Sequence, residues 1–426
     1  MVTAPPAPWV ELDPARQAGL GVDGVEPRFL ARPGTSDELA EVLRRANEMG
    51  LAVCPRGGGS RMALGNRPTR LDLVLDTTSL DRVIEYEPAD LTVTVEAGVR
   101  FSRLQELLRA EGQFLALDPP ATPDSTIGGI IATNASGPLR FAYGTARDLV
   151  IGTRVANPDG HLTRAGGRVV KNVAGYDLNK LYVGSLGTVG VLVELSFKLA
   201  PIPPAQALIV GRFEGAGSAR SLLNAVLHSP LSPMAVELLG PPAAETAGLA
   251  RGLTVVLRVG GYPQAVERQA RDLGALIAEH GGQRVDAAED AWDTIQNMAL
   301  RARRDVLLKA AAPIAHSVAL VDLLERELAR FDPVVWAHAG NGVAYAACAA
   351  PDESLALARN ALLESRRQVA ALGSNALLVV EHCPARLKDN FDVWGNPGDG
   401  LGLMRAIKQQ LDPRGTLNPG RYVGGI

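Results

Sequence analysis

Pro55-Arg56-Gly57-Gly58-Gly59-Ser60 follows a short apolar run, Leu51–Cys54, and is answered further along by Ile127-Gly128-Gly129-Ile130-Ile131-Ala132-Thr133-Asn134-Ala135-Ser136-Gly137. Three adjacent residues without Cβ after a strand can turn their N–H groups around an anionic oxygen cluster, and a pyrophosphate is the fitting guest. The spacing is neither GxGxxG nor GxxxxGK[ST], and more strands follow where a dinucleotide fold would place a helix. A tight turn satisfies the same three glycines. The second stretch joins small residues to hydroxyl and amide groups at Thr126, Thr133, Asn134 and Ser136, enough to grip a large polar cofactor along its length; a helix-start turn under a sheet is the plainer alternative.

Working outward, Thr35–Met49 carries apolar residues at helical spacing and Gly50 can end it; Phe101–Arg109 repeats the pattern ahead of Gly112. Strand patterns occupy Leu71–Leu75, Val83–Tyr86, Leu91–Glu96, Leu149–Ala156 and Gly190–Leu199. Ala200-Pro201-Ile202-Pro203-Pro204 predicts a rigid exit from this domain, since consecutive prolines cannot sustain a ladder. Beyond it, strands at Ala207–Gly211, Ala235–Leu239 and Leu253–Val259 alternate with helices at Gly217–Leu227 and Gln264–Glu279. A later set roughly repeats that texture: helix Glu289–Arg304, strand Val306–Ala311, helix Val318–Leu328, strand Val334–Ala339, helix Ser354–Leu372 and strand Ala376–Glu381. A helix at Met404–Leu411 and the turn-rich Asp412–Gly420 predict an ordered C-terminal segment.

The 426 residues carry 43 basic and 46 acidic side chains with 46% apolar content, a folded chain of two or three domains. The balanced charge gives no nucleic-acid signal, and Arg301–Arg304 reads as a solvated helix face. No apolar run is long enough for a membrane span and the Ala/Pro-rich start lacks secretion-signal features, so the expected location is cytoplasmic, with peripheral attachment at the inner face of the membrane through partners. Cys54, Cys348 and Cys383 are too few and too scattered for an iron–sulfur cluster, and no metal site is expected.

The ordered motifs resemble the vanillyl-alcohol-oxidase type flavoprotein superfamily and, within it, the FAD-binding subunits of bacterial glycolate oxidases. They run from Pro55–Ser60 and Ile127–Gly137 through Tyr143-Gly144-Thr145-Ala146-Arg147-Asp148, Gly166–Leu178 and Lys180–Gly190, with a weaker likeness through Val393-Trp394-Gly395 to Leu411–Gly420. The resemblance implies an α+β chain: a lead segment over 1–30, a two-lobed FAD-binding domain over 31–204, an α+β cap with an antiparallel sheet over 205–385, and a return over 386–426 that packs on the FAD domain. It implies FAD contacts from Pro55, Arg56, Gly57, Gly58, Gly59 and Ser60; from Thr126, Ile127, Gly128, Gly129, Thr133, Asn134, Ser136 and Gly137; and from Tyr143, Gly144, Asp148, Gly187, Gly190 and Val191. The first glycine loop contains no histidine and Cys54 precedes it in a strand, so noncovalent FAD is expected.

Oxidation of a 2-hydroxy acid requires a cation for the carboxylate, a base for the hydroxyl proton and a hydride acceptor. Relatives with a histidine-rich metal site match here only in the reduced His338-Ala339-Gly340-Asn341-Gly342 and Glu381-His382-Cys383-Pro384. His338, Glu381, His382 and Arg386 are the candidates, and none is assigned as the base. The resemblance implies an FAD-carrying subunit of a glycolate oxidase, converting glycolate to glyoxylate beside a larger FAD-containing catalytic subunit and an iron–sulfur subunit. A stand-alone FAD-dependent 2-hydroxyacid dehydrogenase and a nonenzymatic assembly subunit are the alternatives.

Overall fold

The computed structural model describes residues 7–167, 176–288, 290–302 and 304–426. The motif positions Arg168–Gly175, the start of the helix expected at Glu289, and Arg303 lie outside the described residues. The architecture is two-domain α+β, an FAD-binding domain of two lobes followed by a cap.

The first lobe is a four-stranded sheet in the order Val10–Glu11, Phe29–Ala31, Leu73–Asp76, Val53–Arg56, parallel except at its outer edge. Helix Ser36–Glu48 covers it. Thr35 caps that helix by accepting from the Glu38 N–H at 3.2 Å, and Leu39, Val42, Leu43 and Ala46 form its buried face. The lead segment is more ordered than the sequence reading implies: it supplies the edge strand Val10–Glu11 and the helix Pro14–Leu20. The second lobe is an antiparallel sheet in the order Val83–Glu87, Thr92–Glu96, Val191–Lys198, Val150–Ala156, Leu162–Gly166. Helices Phe101–Arg109 and Ile127–Ala132 pack into its core.

The consecutive prolines Pro203-Pro204 lie in no strand, between strands that end at Pro201 and resume at Ala205. Ala200–Pro201 pairs with Gln113–Phe114, a two-residue edge contact that Pro201 can join because the neighbouring Ile202 N–H supplies the bond, to Gly112 O at 2.8 Å.

The cap is one eight-stranded antiparallel sheet built from two copies of a strand–helix–strand–strand–helix–strand unit. The first copy runs Ala205–Phe213, Ala216–His228, Ala235–Leu239, Leu253–Gly261, Pro263–Glu279, Gln283–Val285. The second runs Val306–Ala311, Ser317–Glu327, Val334–His338, Val343–Cys348, Leu355–Ala370, Leu377–His382. The second strand of each copy meets the other, Ala235–Leu239 against Val334–His338, and makes the sheet continuous. The four helices cover one face, where Val236, Leu238, Val335 and Ala337 are buried among them. The opposite face turns Glu237, Trp336, His338 and Tyr345 toward the FAD-binding domain.

The helix expected over 289–304 is broken into Ala291–Gln296 and Met298–Arg301 at Asn297. The C-terminal segment returns to the first lobe: Leu417 forms a parallel bridge with Val53, and Trp394 donates from Nε1 to Arg421 O at 3.0 Å. Among the described residues no helix is long and apolar enough to cross a membrane.

Candidate cofactor and substrate site

The two glycine stretches lie against each other. A Cβ on Gly57 would fall 2.1 Å from Thr126 Oγ1, and one on Gly58 would fall 1.6 Å from Asp124 O, so only glycine allows this approach. Gly59 adopts φ +76°. The N–H groups of Gly57, Gly58 and Gly59 donate to no acceptor among the described residues. Ser60 and Ser125 join the two turns through their hydroxyls at 3.2 Å, and Thr126 caps the Ile127–Ala132 helix.

Between the turns runs a narrow cleft of about 70 Å³ lined by Pro55, Gly57–Ser60, Thr126, Gly129, Ala132, Thr133 and Leu186. It shares Ser60, Arg61 and Pro120 with a chamber of about 680 Å³ between the FAD-binding domain and the cap. A thin neck opening into a wide chamber suits an elongated cofactor with one bulky end.

The remaining residues of the expected FAD set divide. Asn134, held at φ +48°, follows the cleft residue Thr133; it is not itself in the cleft lining, and its Oδ1 is buried without a partner. Ser136 is buried and accepts from Arg140 Nη1 at 3.3 Å; Arg140 Nε is buried and unpartnered. Gly187, at φ +66°, packs beside Pro55. Arg56 and Gly57 reach a second opening on the outer side of the loop.

Others do not reach the cleft. Ile127 is fully buried, Gly128 backs onto Ala97, and Gly137 packs on the Asp118 carbonyl. Tyr143 packs edge-on to Phe114, Gly144 and Asp148 form a helix cap in which Asp148 accepts from the Thr145 N–H at 2.8 Å, and Gly190 and Val191 pack against the Val150–Ala156 strand.

Two cations from the C-terminal return, Arg421 and Lys388, support the neck. Arg421 donates to Met62 O, Leu64 O and Cys54 Sγ. Lys388 donates to Ala63 O at 2.6 Å, Gly65 O at 2.9 Å and Asp23 at 2.8 Å. Their charges are far in sequence from the loop they hold, and only the return of the chain brings them there. Cys54 is buried beside Arg421, and burial raises its thiol pKa, so it stays a protonated packing group rather than an attacking thiolate.

In the cap sheet beside the chamber, strand pairing sets Lys309 opposite Tyr345, with the ammonium 5.8 Å from the ring centroid. A bulge in the Leu377–His382 strand skips Glu381 in the register: Leu308 faces Val380, and Leu307 faces His382. Regular alternation would send Glu381 and His382 to opposite faces; the bulge brings both to the chamber wall. Glu381 lies 3.6 Å from Lys309 and 3.5 Å from Arg61. The Tyr345 hydroxyl, and then Glu381, hold the Lys309 pKa up against burial, keeping it a cation. Burial lowers the His382 pKa, which favours its neutral, proton-accepting form.

His338 is not on the chamber wall. Its Nδ1 is 2.7 Å from Glu237 Oε2 and its ring packs edge-on to Tyr345. Arg386 is exposed and paired with Asp352 at 2.8 Å. Among the described residues no group of three or more His, Cys, Asp or Glu could hold a metal ion.

A family model described as FAD binding domain matches residues 27–166, and one described as FAD linked oxidases, C-terminal domain, matches residues 202–422, more than half the chain. The glycolate oxidase subunit GlcD of Bacillus subtilis is 28% identical over 418 residues, 93% of this chain and 88% of that protein. The D-2-hydroxyglutarate dehydrogenase of Xanthomonas citri is 27% identical over 459 residues, 98% and 95% of the two chains. The structure of p-cresol methylhydroxylase with substrate bound superposes with a TM-score of 0.76 at 16% identity, covering 96% of this chain and 93% of that one, which establishes a shared fold. The free glycine amides and the neck-and-chamber shape fit FAD held noncovalently. The chain thus belongs to the FAD-linked oxidases, as a vanillyl-alcohol-oxidase type flavoprotein related to glycolate oxidases and D-2-hydroxyacid dehydrogenases.

Proposed function

We propose that the chain is an FAD-dependent dehydrogenase of a small 2-hydroxy acid, with a substrate chamber of its own. The observation that carries this reading is Glu381 on the wall of the chamber that opens from the glycine neck, with Arg61 of the same wall 3.5 Å away and Lys309 of the adjacent strand 3.6 Å away. Two cations with one carboxylate between them leave a net positive charge, suited to orienting a substrate carboxylate. The names of the two relatives, an oxidase of glycolate and a dehydrogenase of 2-hydroxyglutarate, support a 2-hydroxy acid as that substrate.

FAD, when bound, supplies the hydride acceptor for C2 of the substrate. In this reading Gly57–Gly59 and Thr133 hold the cofactor, Lys309 and Arg61 hold the substrate carboxylate, and neutral His382 takes the hydroxyl proton on one ring nitrogen. His338 acts at a distance: bonded to Glu237, it packs edge-on to Tyr345 and keeps that ring beside Lys309.

A second reading, an FAD-carrying glycolate oxidase subunit beside a larger flavin subunit and an iron–sulfur subunit, is favoured by the engaged His338 and by the name of the Bacillus relative. Anaerobic mixing of the purified, FAD-loaded chain with a panel of D- and L-2-hydroxy acids separates the two. Bleaching of the flavin by one acid at a turnover-competent rate supports the first reading. Bleaching that appears only after copurification with partner chains supports the second, and no bleaching in either setting defeats both.

A further inference from the structure

A second cavity, of about 630 Å³, lies in the seam between the FAD-binding domain and the cap, behind the Pro119–Pro123 strap that also walls the chamber. Its walls mix apolar residues, Phe101, Ile202 and Met234 among them, with polar ones that include Arg109, and Arg258 joins this lining from the Leu253–Gly261 strand. The guanidinium lies over the Trp292 ring, 4.3 Å from its centroid, and is steadied by Gln206 Oε1 at 2.6 Å.

Among the described residues Arg258 has no direct ion pair, and Asp118 and Asp293 act on it only from longer range. Asp293 and Glu106 on the cavity rim are exposed, so water screens their charge. Asp118 in the wall is buried and pushed up to about 7, so it offers Arg258 only part of a charge near neutrality. The indole Nε1 of Trp292 is itself buried without a hydrogen-bond partner. A half-buried cation without a direct ion pair and an orphaned N–H donor, both on residues that line one cavity, are two unmet demands for the same kind of group.

We propose that this seam cavity binds a small monocarboxylic acid with an apolar body, its carboxylate held by Arg258 and the Trp292 N–H. The site is separate from the chamber of Lys309 and Glu381, and the inference stands whatever the chamber's substrate. Because Asn297 and residues 121–123 line both cavities, occupancy of one is placed to alter the shape of the other.

Titration calorimetry of the FAD-loaded chain with phenylacetate tests this, with 2-phenylethanol as the uncharged control. Saturable binding of phenylacetate alone is expected, weakened about tenfold or more by Arg258→Gln and less by Arg258→Lys. Trp292→Phe keeps the ring beneath the guanidinium and removes only the N–H, so a few-fold loss is expected even if Arg258→Gln folds poorly. Lys309→Met, beside Glu381 of the chamber wall, should leave phenylacetate binding unchanged. Absence of saturable binding, equal binding of the alcohol, or loss with Lys309→Met while Arg258→Gln and Trp292→Phe bind normally would each overturn the proposal.

Discussion

Glu237 and His338 face each other across the one strand pair that joins the two halves of the cap, with Oε2 and Nδ1 2.7 Å apart. Glu237 is fully buried, and burial drives its pKa well above the ordinary carboxylate range; burial likewise pushes His338 down to about 3. Burial disfavours the charged form of each partner, and one hydrogen bond joins them. Glu237→Gln, which retains a donor, should unfold in urea within about 1 kcal/mol of the parent, whereas Glu237→Ala, which strands Nδ1, should cost about 1–3 kcal/mol.

Asp118 titrates at about 7 in the folded chain against an ordinary value of 3.8. The folded state binds this proton more tightly, so the contribution is full below 3.8 and is lost as pH rises through 7. Asp118→Asn, which can still accept from the Leu139 N–H, should flatten the fall in urea midpoint across this window. A parent and variant with parallel pH profiles would contradict the assignment. His338 acts in the opposite sense, since a folded pKa of about 3 costs stability as pH falls below its ordinary 6.5, so the Asp118 effect is read as the difference between the two profiles.

Lys309→Met should retain the yellow cofactor but lose the carboxylate anchor of the chamber. The expected loss in kcat/KM for a 2-hydroxy acid is about 100-fold or more, measured by anaerobic flavin reduction. Unaltered kinetics would remove Lys309 from the substrate site.

Gly58→Ala places a methyl group in the position of the Asp124 carbonyl and must move one glycine turn off the other. Flavin content per chain should fall severalfold, read from the visible spectrum against protein concentration. In the parent, denaturation and precipitation should leave all the flavin in the supernatant.

Arg421→Met removes the guanidinium that holds the Met62 and Leu64 carbonyls under the neck, and stability should drop by roughly 2–4 kcal/mol with weaker FAD retention. Thermal unfolding with and without added FAD checks both effects.

Local chemistry made much of this molecule legible. The apolar spacing of Leu39, Val42, Leu43 and Ala46 and the Thr35 cap specify their helix wherever it packs, and the glycine turns announce a close backbone approach because no other residue tolerates it. The Val343–Cys348 strand escaped notice: Val-Ala-Tyr-Ala-Ala-Cys is poor in β-branched residues and is a strand because neighbours on both edges and burial on both faces make it one. The same holds for the site. His338, Glu381 and His382 stand out as residue types, but Lys309 looks like any strand lysine and Arg421 like any terminal arginine. The sheet order that sets Lys309 beside Tyr345, the bulge that swings Glu381 and His382 to one wall, and the return that slides Arg421 under the neck depend on contacts between segments far apart in the chain, and such contacts leave no local pattern to read.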